Sequence, residues 1–256
     1  MANDPIHQFH IEPIAEFSVA GYDASFTNAS FAMVGGAVLA ALFFNWAMKP
    51  AAMVPGRAQV VAEGAYGFIH GMLKDAAGTE GVKKFLPFVF TLFLFIFMSN
   101  MLGMFPGVFG IHHIFTPTSQ IVVTAALALL VFFTVIIVGF AKNGLKFFKL
   151  FAPSGVPIYI LWFVIIIEVI SFFSRPLSHA VRLWANILAG HILLKVFAGF
   201  VPALAGLGFV GILGASLPLA MTVALYGLEF LVAFLQAYVF AILTCIYLND
   251  ALHPGH

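Results

Sequence analysis

The sequence predicts an all-α membrane protein with five crossings, a surface amphipathic helix, and two long final helices that form a strongly tilted antiparallel hairpin. Three observations lead to this prediction. Of the 256 residues, 62% are hydrophobic and only 8% are charged, and the apolar residues fall into runs of ~20 or more, the length that a membrane helix requires. Soluble domains carry roughly 25% charged residues, so the composition excludes an ordinary soluble domain.

The apolar runs define a single transmembrane domain. Lys49 and Pro50 end the first run, and a glycine-rich stretch between the last two runs predicts a loop. Residues 1–28 are predicted to form an external N-terminal segment. Residues 55–84 are mildly amphipathic, which predicts a segment on the cytoplasmic surface of the membrane. The predicted membrane helices cover residues 29–48, 85–105, 119–140, 157–199 and 216–248.

The last two runs are too long for one perpendicular crossing. As a single helix, residues 157–199 would extend over ~64 Å, compared with ~30 Å of hydrocarbon. A division at Pro176 would leave no residues for a turn. A single, strongly tilted helix is therefore the simpler interpretation of each run.

Outside the apolar runs, lysine and arginine are confined to alternate loops. They follow the first and third runs, whereas residues 1–28 and the loops after the second and fourth runs contain neither. The positive-inside rule then places the N-terminus outside and the C-terminus in the cytoplasm. An odd number of crossings, such as five, satisfies this orientation.

Several classes of function have no support in the sequence. Cys245 is the only cysteine, which excludes an intrachain disulfide and a zinc cluster built from thiolates. The formal net charge is +1 and no basic run occurs, so nucleic acid is not an expected partner. No phosphate-binding loop, nucleophile triad or metal-ligand spacing is present, so we expect no cofactor, no metal and no catalytic residues.

Ionisable residues within the fourth run are the main functional signal. A charge inside a bilayer costs on the order of 3 kcal/mol and usually faces protein or water, and the guanidinium of Arg182 cannot become neutral. His191 lies about 180° around the helix from Arg182. This arrangement predicts two separate polar paths. At ~100° per residue, one helix face carries Glu168, Ser171, Arg175, Ser178, Arg182 and Asn186.

The last run carries a possible partner for His191. Glu229 and Gln236 are spaced so that they lie on nearly the same helix face. If the last two helices are antiparallel, Glu229 meets His191. A carboxyl group with an ordinary pKa of ~4.3 and an imidazole with one of ~6.5 can exchange a proton when they are in contact. The pair therefore predicts a proton relay.

Structural roles compete with these functional ones. Arg182 could form a buried ion pair that joins two helices, and Glu168 could form a purely structural ion pair with Arg175. His191 could be a buried histidine whose hydrogen bonds are satisfied, and the serines could bond to carbonyl groups of their own helix. Asn100 could cap the end of its span.

Two other functions compete for the whole protein. In a proton-coupled secondary transporter, Arg182 would bind an anionic substrate. Such folds commonly show paired halves with broken helices, and the sequence has no second arginine-bearing span. In a purely structural membrane subunit, the charged residues would only hold helices together.

Three stretches resemble the subunit a family of F-type ATP synthases, and the resemblance covers nearly the whole chain. They are Ser174-Arg175-Pro176-Leu177-Ser178-His179-Ala180-Val181-Arg182-Leu183-Trp184-Ala185-Asn186-Ile187-Leu188-Ala189-Gly190-His191, Leu235-Gln236-Ala237-Tyr238-Val239-Phe240, and Asn100-Met101-Leu102-Gly103-Met104-Phe105-Pro106.

The resemblance implies a non-catalytic stator subunit that couples proton translocation to ATP synthesis through two offset half-channels. Its expected partners are a rotating ring of c subunits, the b subunits of the peripheral stalk and the lipid bilayer. The expected location is a bacterial inner membrane, with a periplasmic N-terminus, or alternatively a mitochondrial inner membrane.

The resemblance also implies roles for individual residues. Arg182 matches the arginine that pairs with each passing c-subunit carboxylate and prevents a direct proton leak. Asn186 and Gln236 match residues near that arginine, and His191 and Glu229 match the pair in the outer half-channel. Asn100, from the third stretch, is also expected on the proton path. The residues that match the cytoplasmic half-channel are Glu168, Ser171, Ser174, Arg175 and Ser178.

The chain departs from the enterobacterial pattern of this family at one pair. There, glutamate stands at the position of His191 and histidine at the position of Glu229. The exchange preserves the pair and resembles mitochondrial and alphaproteobacterial members.

Overall fold

The computed structural model describes residues 11–16, 18–19, 22–23, 25–49, 53–105, 116–152 and 156–254. These residues contain five helices that are long and apolar enough to cross a membrane. The all-α membrane fold is therefore confirmed. The helices are α1 (Asn28–Ala47), α2 (Arg57–Met104), α3 (Ile121–Asn143), α4 (Ile158–Ala205) and α5 (Phe209–Leu252).

Four short strands precede α1, and the sequence analysis did not predict them. β1 pairs antiparallel with β4, and β2 with β3. Strand β4 leads directly into α1. At this junction the Thr27 hydroxyl accepts a hydrogen bond from the Ser30 backbone N–H at 3.3 Å. This is an N-cap, which satisfies one of the free N–H groups of the first helical turn. The strands are β1 (Pro13–Ala15), β2 (Ser18–Val19), β3 (Tyr22–Asp23) and β4 (Phe26–Thr27).

Helix α2 contains a break at Gly78, within its polar part. Gly78 has φ 66° and ψ −173°, which is not helical. Positive φ is readily accessible only to glycine, because a Cβ would clash with the backbone. The break lies within predicted segment 55–84, and the placement of that segment on the membrane surface stays a prediction.

The connection between α4 and α5 is shorter than predicted. The sequence predicts a glycine-rich loop between residues 199 and 216, whereas α4 continues to Ala205 and α5 begins at Phe209. The turn between them includes Gly208, with φ 89°. In an apolar environment a helix is the state that satisfies backbone hydrogen bonds internally. The glycines on either side of this turn are therefore accommodated within the two helices.

The chain forms two compact units. The first unit comprises Met1–Leu39, Phe95–Gln120 and Leu183–Gln236, and the second comprises Ala40–Leu94, Ile121–Arg182 and Ala237–His256. Helix α3 belongs to the second unit, whereas α1, α2, α4 and α5 each contribute to both.

Contacts in the second unit show the direction of the last two helices. Arg175 of α4 pairs with Asp250 of α5, and His179 packs against Phe240 and Tyr247. Later residues of α4 thus meet earlier residues of α5, so the two helices are antiparallel, as predicted. Their strong tilt in the membrane stays a prediction.

An ion-pair cluster joins α2 and α3 in the second unit. The carboxylate of Glu80 lies 2.9 Å from Lys142 Nζ and 3.1 Å from Lys84 Nζ. Hydrogen bonds first from Lys142 and then from Lys84 lower the pKa of Glu80 to about 2. The charged cluster is therefore preserved well below neutral pH.

This cluster predicts a defined pH dependence. The pKa of Glu80 is depressed from 4.5 to about 2 in the folded state, so its stabilisation is complete above pH 4.5 and is lost as the pH falls toward 2. We expect Glu80→Gln to lower the melting temperature of the detergent-solubilised protein equally at pH 7 and pH 5, and less at pH 3.5. Asp75→Asn, on the same helix, is the control. A difference that already fades between pH 7 and pH 5 would contradict the assignment.

Candidate functional site

A histidine and a glutamate meet in the first unit. Nδ1 of His191 lies 3.5 Å from Oε1 of Glu229, and their side chains are only 12% and 5% exposed. On the other side of the ring, Nε2 of His191 lies 3.1 Å from the Thr116 hydroxyl. The structure thus brings together the pair that the sequence predicted and adds a hydroxyl group to it. The resulting chain, Thr116–His191–Glu229, joins three groups that can donate or accept a proton.

The carboxylate of Glu229 is buried in an unusual way. Among the described residues, neither of its oxygens has a hydrogen-bond partner. Gly190 faces it closely, because a Cβ at position 190 would lie 2.9 Å from Oε1 and 3.1 Å from Cδ. Buried polar groups without partners are costly. The nearest polar group that the structure gives this carboxylate is therefore the His191 imidazole, at ion-pair rather than hydrogen-bond distance.

An open pocket of about 230 Å³ adjoins this carboxylate in the first unit. Asn186 and Gln236 line it together with Gly190 and Glu229, and leucine and valine side chains supply most of the remaining wall. Two residues that the sequence assigned to the neighbourhood of the arginine thus share a pocket with the buried acid. The amide groups provide hydrogen-bond donors and acceptors in an otherwise apolar wall.

Asn100 does not cap the end of a span. It is buried, its Nδ2 donates to the Ala233 carbonyl at 3.1 Å, and its Oδ1 accepts from the Thr118 hydroxyl at 2.6 Å. These bonds join α2, the short turn Pro117–Ser119 and α5. Asn100 therefore fixes the segment that presents Thr116 to His191, which is a positioning role.

A charged cluster occupies the second unit. Arg175 lies 2.8 Å from Asp250 and 3.7 Å from Glu168, and its guanidinium is 4.9 Å from the ring centre of Tyr247. The ion pair between Glu168 and Arg175, considered as a structural alternative, is therefore present. Asp250 extends it to a cluster of three charges that links α4 to α5.

The three serines of α4 are exposed within the second unit. The Ser174 hydroxyl donates to the Ser171 carbonyl at 2.8 Å, which is the local bonding to the helix backbone considered above. Ser178 also lies on the exposed surface. These hydroxyl groups are accessible from outside the unit and do not form part of its buried core.

Arg182 is exposed on α4. Within the second unit, no described carboxylate forms an ion pair with it, in contrast to Arg175. The buried ion pair considered for Arg182 is therefore not observed in that unit. Its guanidinium is a permanent charge on the surface of an apolar helix.

Sequence reasoning missed Asp250, Thr116 and Thr118. Asp250 fell outside the predicted last helix, which ended at residue 248, whereas α5 continues to Leu252. An acid near the end of one arm of an antiparallel hairpin, opposite Arg175 near the start of the other, was the available signal. The threonines lie in the polar run Thr116-Pro117-Thr118-Ser119, which leads into the predicted helix 119–140 and to which the sequence analysis assigned no function.

The close approach at Gly190 predicts a selective effect. Gly190→Ala would place a methyl group against the Glu229 carboxyl and displace it from His191. We expect any proton transfer that passes through this pair to slow by roughly tenfold in a protein that still folds, since overpacking typically costs ~1–3 kcal/mol. Gly199→Ala, on the same helix with nothing within 4 Å of the new Cβ, is the control. Equal activity of the two variants would disprove the role of this contact.

Comparisons with known proteins place the chain among close relatives. Residues 30–249 match the model of the family described as ATP synthase A chain. ATP synthase subunit a of Rhizobium rhizogenes (strain K84) is 61% identical over 255 residues, covering 100% of this chain and 99% of the relative. The subunit a of Mesorhizobium japonicum is 57% identical over 253 residues, covering 99% and 98%. That of Rhodopseudomonas palustris (strain TIE-1) is 59% identical over 257 residues, covering 100% of both chains.

Proposed function

The chain belongs to the ATP synthase A chain family, as a non-catalytic membrane subunit of a bacterial F-type ATP synthase, and from this we propose that it is the proton-channel stator. In this proposal it provides two offset half-channels, and Arg182 lies between them and faces a rotating ring of c subunits. Residues of the first unit serve the outer half-channel, and residues of the second unit serve the cytoplasmic one.

The exposed Arg182 is the observation that carries the proposal. Its charge is permanent, it lies on an apolar helix, and no described carboxylate of its own unit pairs with it. A charge in the membrane needs a partner or water. A carboxylate carried by each c subunit would meet this need transiently, and Arg182 would keep that carboxylate ionised while it passes.

The outer half-channel is proposed to run through the chain Thr116–His191–Glu229. The contact between imidazole and carboxyl supports a relay, because either group can bind the proton. The pocket with Asn186 and Gln236 adjoins Glu229 and provides polar groups through which the proton can continue. We propose that the proton then reaches the ring carboxylate.

The cytoplasmic half-channel is proposed to include the cluster Glu168–Arg175–Asp250 and the exposed hydroxyl groups of Ser171, Ser174 and Ser178. Asp250 lies near the C-terminal end of α5, which the positive-inside rule places in the cytoplasm. The arginine holds two carboxylates in one place, so the cluster can retain water and release protons on that side.

The arrangement converts an electrochemical gradient into rotation. Each proton that crosses the membrane supplies ~2.3 kcal/mol per 100 mV. Because a ring carboxylate can gain or lose its proton only at the half-channels, the ring must turn for a proton to cross. We place the protein in the bacterial inner membrane, N-terminus periplasmic, beside the c ring and the b subunits of the peripheral stalk.

Disulfide cross-linking tests the contact with the ring. Ser178→Cys and Asn186→Cys introduce thiols at exposed positions on either side of Arg182. We expect both to cross-link to a cysteine placed one turn from the ring carboxylate. Leu183→Cys, at a position only 1% exposed, is the matched control and should remain unlinked. Absence of cross-links from both exposed positions would refute the proposed face.

A further inference from the structure

An apolar pocket of about 460 Å³ lies in the second unit beside the end of α3. Its volume falls within the ~300–1,000 Å³ range typical of ligand pockets. Helix α3, the 3₁₀ helix Gly144–Phe151 that follows it, and α4 all contribute to its wall. The aromatic residues that line it are Phe140, Phe147, Phe148, Phe151, Phe172 and Phe173.

The 3₁₀ helix has one apolar edge and one basic edge. With three residues per turn, residues three apart lie above one another. Phe148 and Phe151 share the edge that lines the pocket, and Lys146 and Lys149 share the next edge, where both are exposed. Phe147 is buried, and its ring occupies the space where a Cβ at Gly139 would lie. This contact anchors the segment on α3.

Among the described residues of the second unit, no carboxylate neutralises Lys146 or Lys149. Residues 81–167 contain no aspartate or glutamate, and within the second unit no described carboxylate pairs with Lys146 or Lys149. Lys142 differs, because Glu80 neutralises it. The rise of ~2.0 Å per residue places Lys146 and Lys149 ~6 Å apart along the helix axis. Two uncompensated ammonium groups therefore lie side by side next to an apolar pocket at the end of a span.

We propose that this pocket binds an acyl chain of an anionic phospholipid whose phosphate contacts Lys146 and Lys149. The apolar aromatic wall of the pocket suits the lipid's acyl chain, and the positive charge of the two lysines suits its anionic headgroup. A zwitterionic lipid would fill the pocket but would leave the two charges without a net counter-charge. Basic clusters at the ends of membrane helices attract anionic lipids through the same electrostatic attraction.

A photoreactive phosphatidylglycerol with a diazirine in its acyl chain tests the proposal in membranes that contain the intact complex. We expect cross-links in the peptide that covers residues 144–173, removed by excess phosphatidylglycerol but not by phosphatidylcholine. Lys146→Gln/Lys149→Gln should reduce labelling by roughly 10- to 30-fold. Lys74→Gln/Lys83→Gln removes two exposed lysines of α2 and should leave the labelling unchanged.

A second variant tests the acyl-chain part separately. Ile165 lines the pocket, so Ile165→Trp should fill it and abolish labelling in complexes that still assemble. Equal labelling by a phosphatidylcholine analogue, or labelling that does not respond to the lysine changes, would overturn the proposal in favour of a non-selective lipid surface. No labelling of this segment in the unmodified complex would overturn it in favour of a protein partner.

Discussion

Arg182→Ala is expected to abolish ATP synthesis and ATP-driven proton pumping while the complex still assembles. The change leaves each passing ring carboxylate without its charged partner. Breaking a desolvated ion pair costs ~3–5 kcal/mol, which corresponds to a loss of roughly two to four orders of magnitude in the coupled rate. Because Arg182 is exposed and no described carboxylate of its unit forms an ion pair with it, the fold of the subunit should be preserved.

The measurement is ATP synthesis and ATP-driven acidification in inverted membrane vesicles, with subunit content checked on the same preparation. Arg57→Ala, which removes the exposed arginine at the start of α2, is the matched control and should retain activity. Coupled pumping that survives in Arg182→Ala would show that the arginine is structural. The transporter and stator interpretations of this residue would then both fail.

The pair His191 and Glu229 predicts a rescue by exchange. His191→Glu places two acids together, and Glu229→His places two imidazoles together, so each single variant should lose coupled transport by roughly 10²- to 10⁴-fold, as expected when one positioned proton carrier is lost. The double variant His191→Glu/Glu229→His restores one carboxyl and one imidazole at contact distance. We expect it to recover a substantial part of the activity.

The exchange of His191 and Glu229 distinguishes a role of this pair in proton transfer from a role in helix packing alone. ATP-driven acidification by the two single variants and the double variant forms a double-mutant cycle, whose interaction term measures the coupling between the residues. Glu229→Gln, which is nearly isosteric but cannot carry a proton at neutral pH, should be as inactive as the single variants. A double variant less active than both singles would show that the pair only packs the two helices together.

Prediction from sequence succeeded where periodicity and charge decide the outcome. The five apolar helices follow from run length, and the meeting of His191 with Glu229 follows from an antiparallel hairpin and the positions of two polar groups. These features depend on local pattern and on the cost of burying charge. They require no knowledge of side-chain packing.

The missed features depend on tertiary contacts. The role of Gly190 arises from an acid on another helix that occupies the space of its missing side chain, and nothing in the local sequence indicates this. Thr116 contributes only because Asn100 and Thr118 hold its segment in place. The end of α5 was misplaced because helix boundaries are weakly determined by sequence. Asp250 was therefore not predicted to belong to this helix.

Passive proton flux tests most directly whether Arg182 separates two half-channels. Proteoliposomes with the complex would be energised by a potassium diffusion potential without nucleotide, and an internal dye would report pH. The account predicts that Arg182→Ala makes the vesicles leak protons. It also predicts that adding Glu229→Gln suppresses the leak, because protons can then no longer pass through the outer half-channel. Arg182→Ala vesicles as tight as the wild type, or a leak unchanged by Glu229→Gln, would contradict the account.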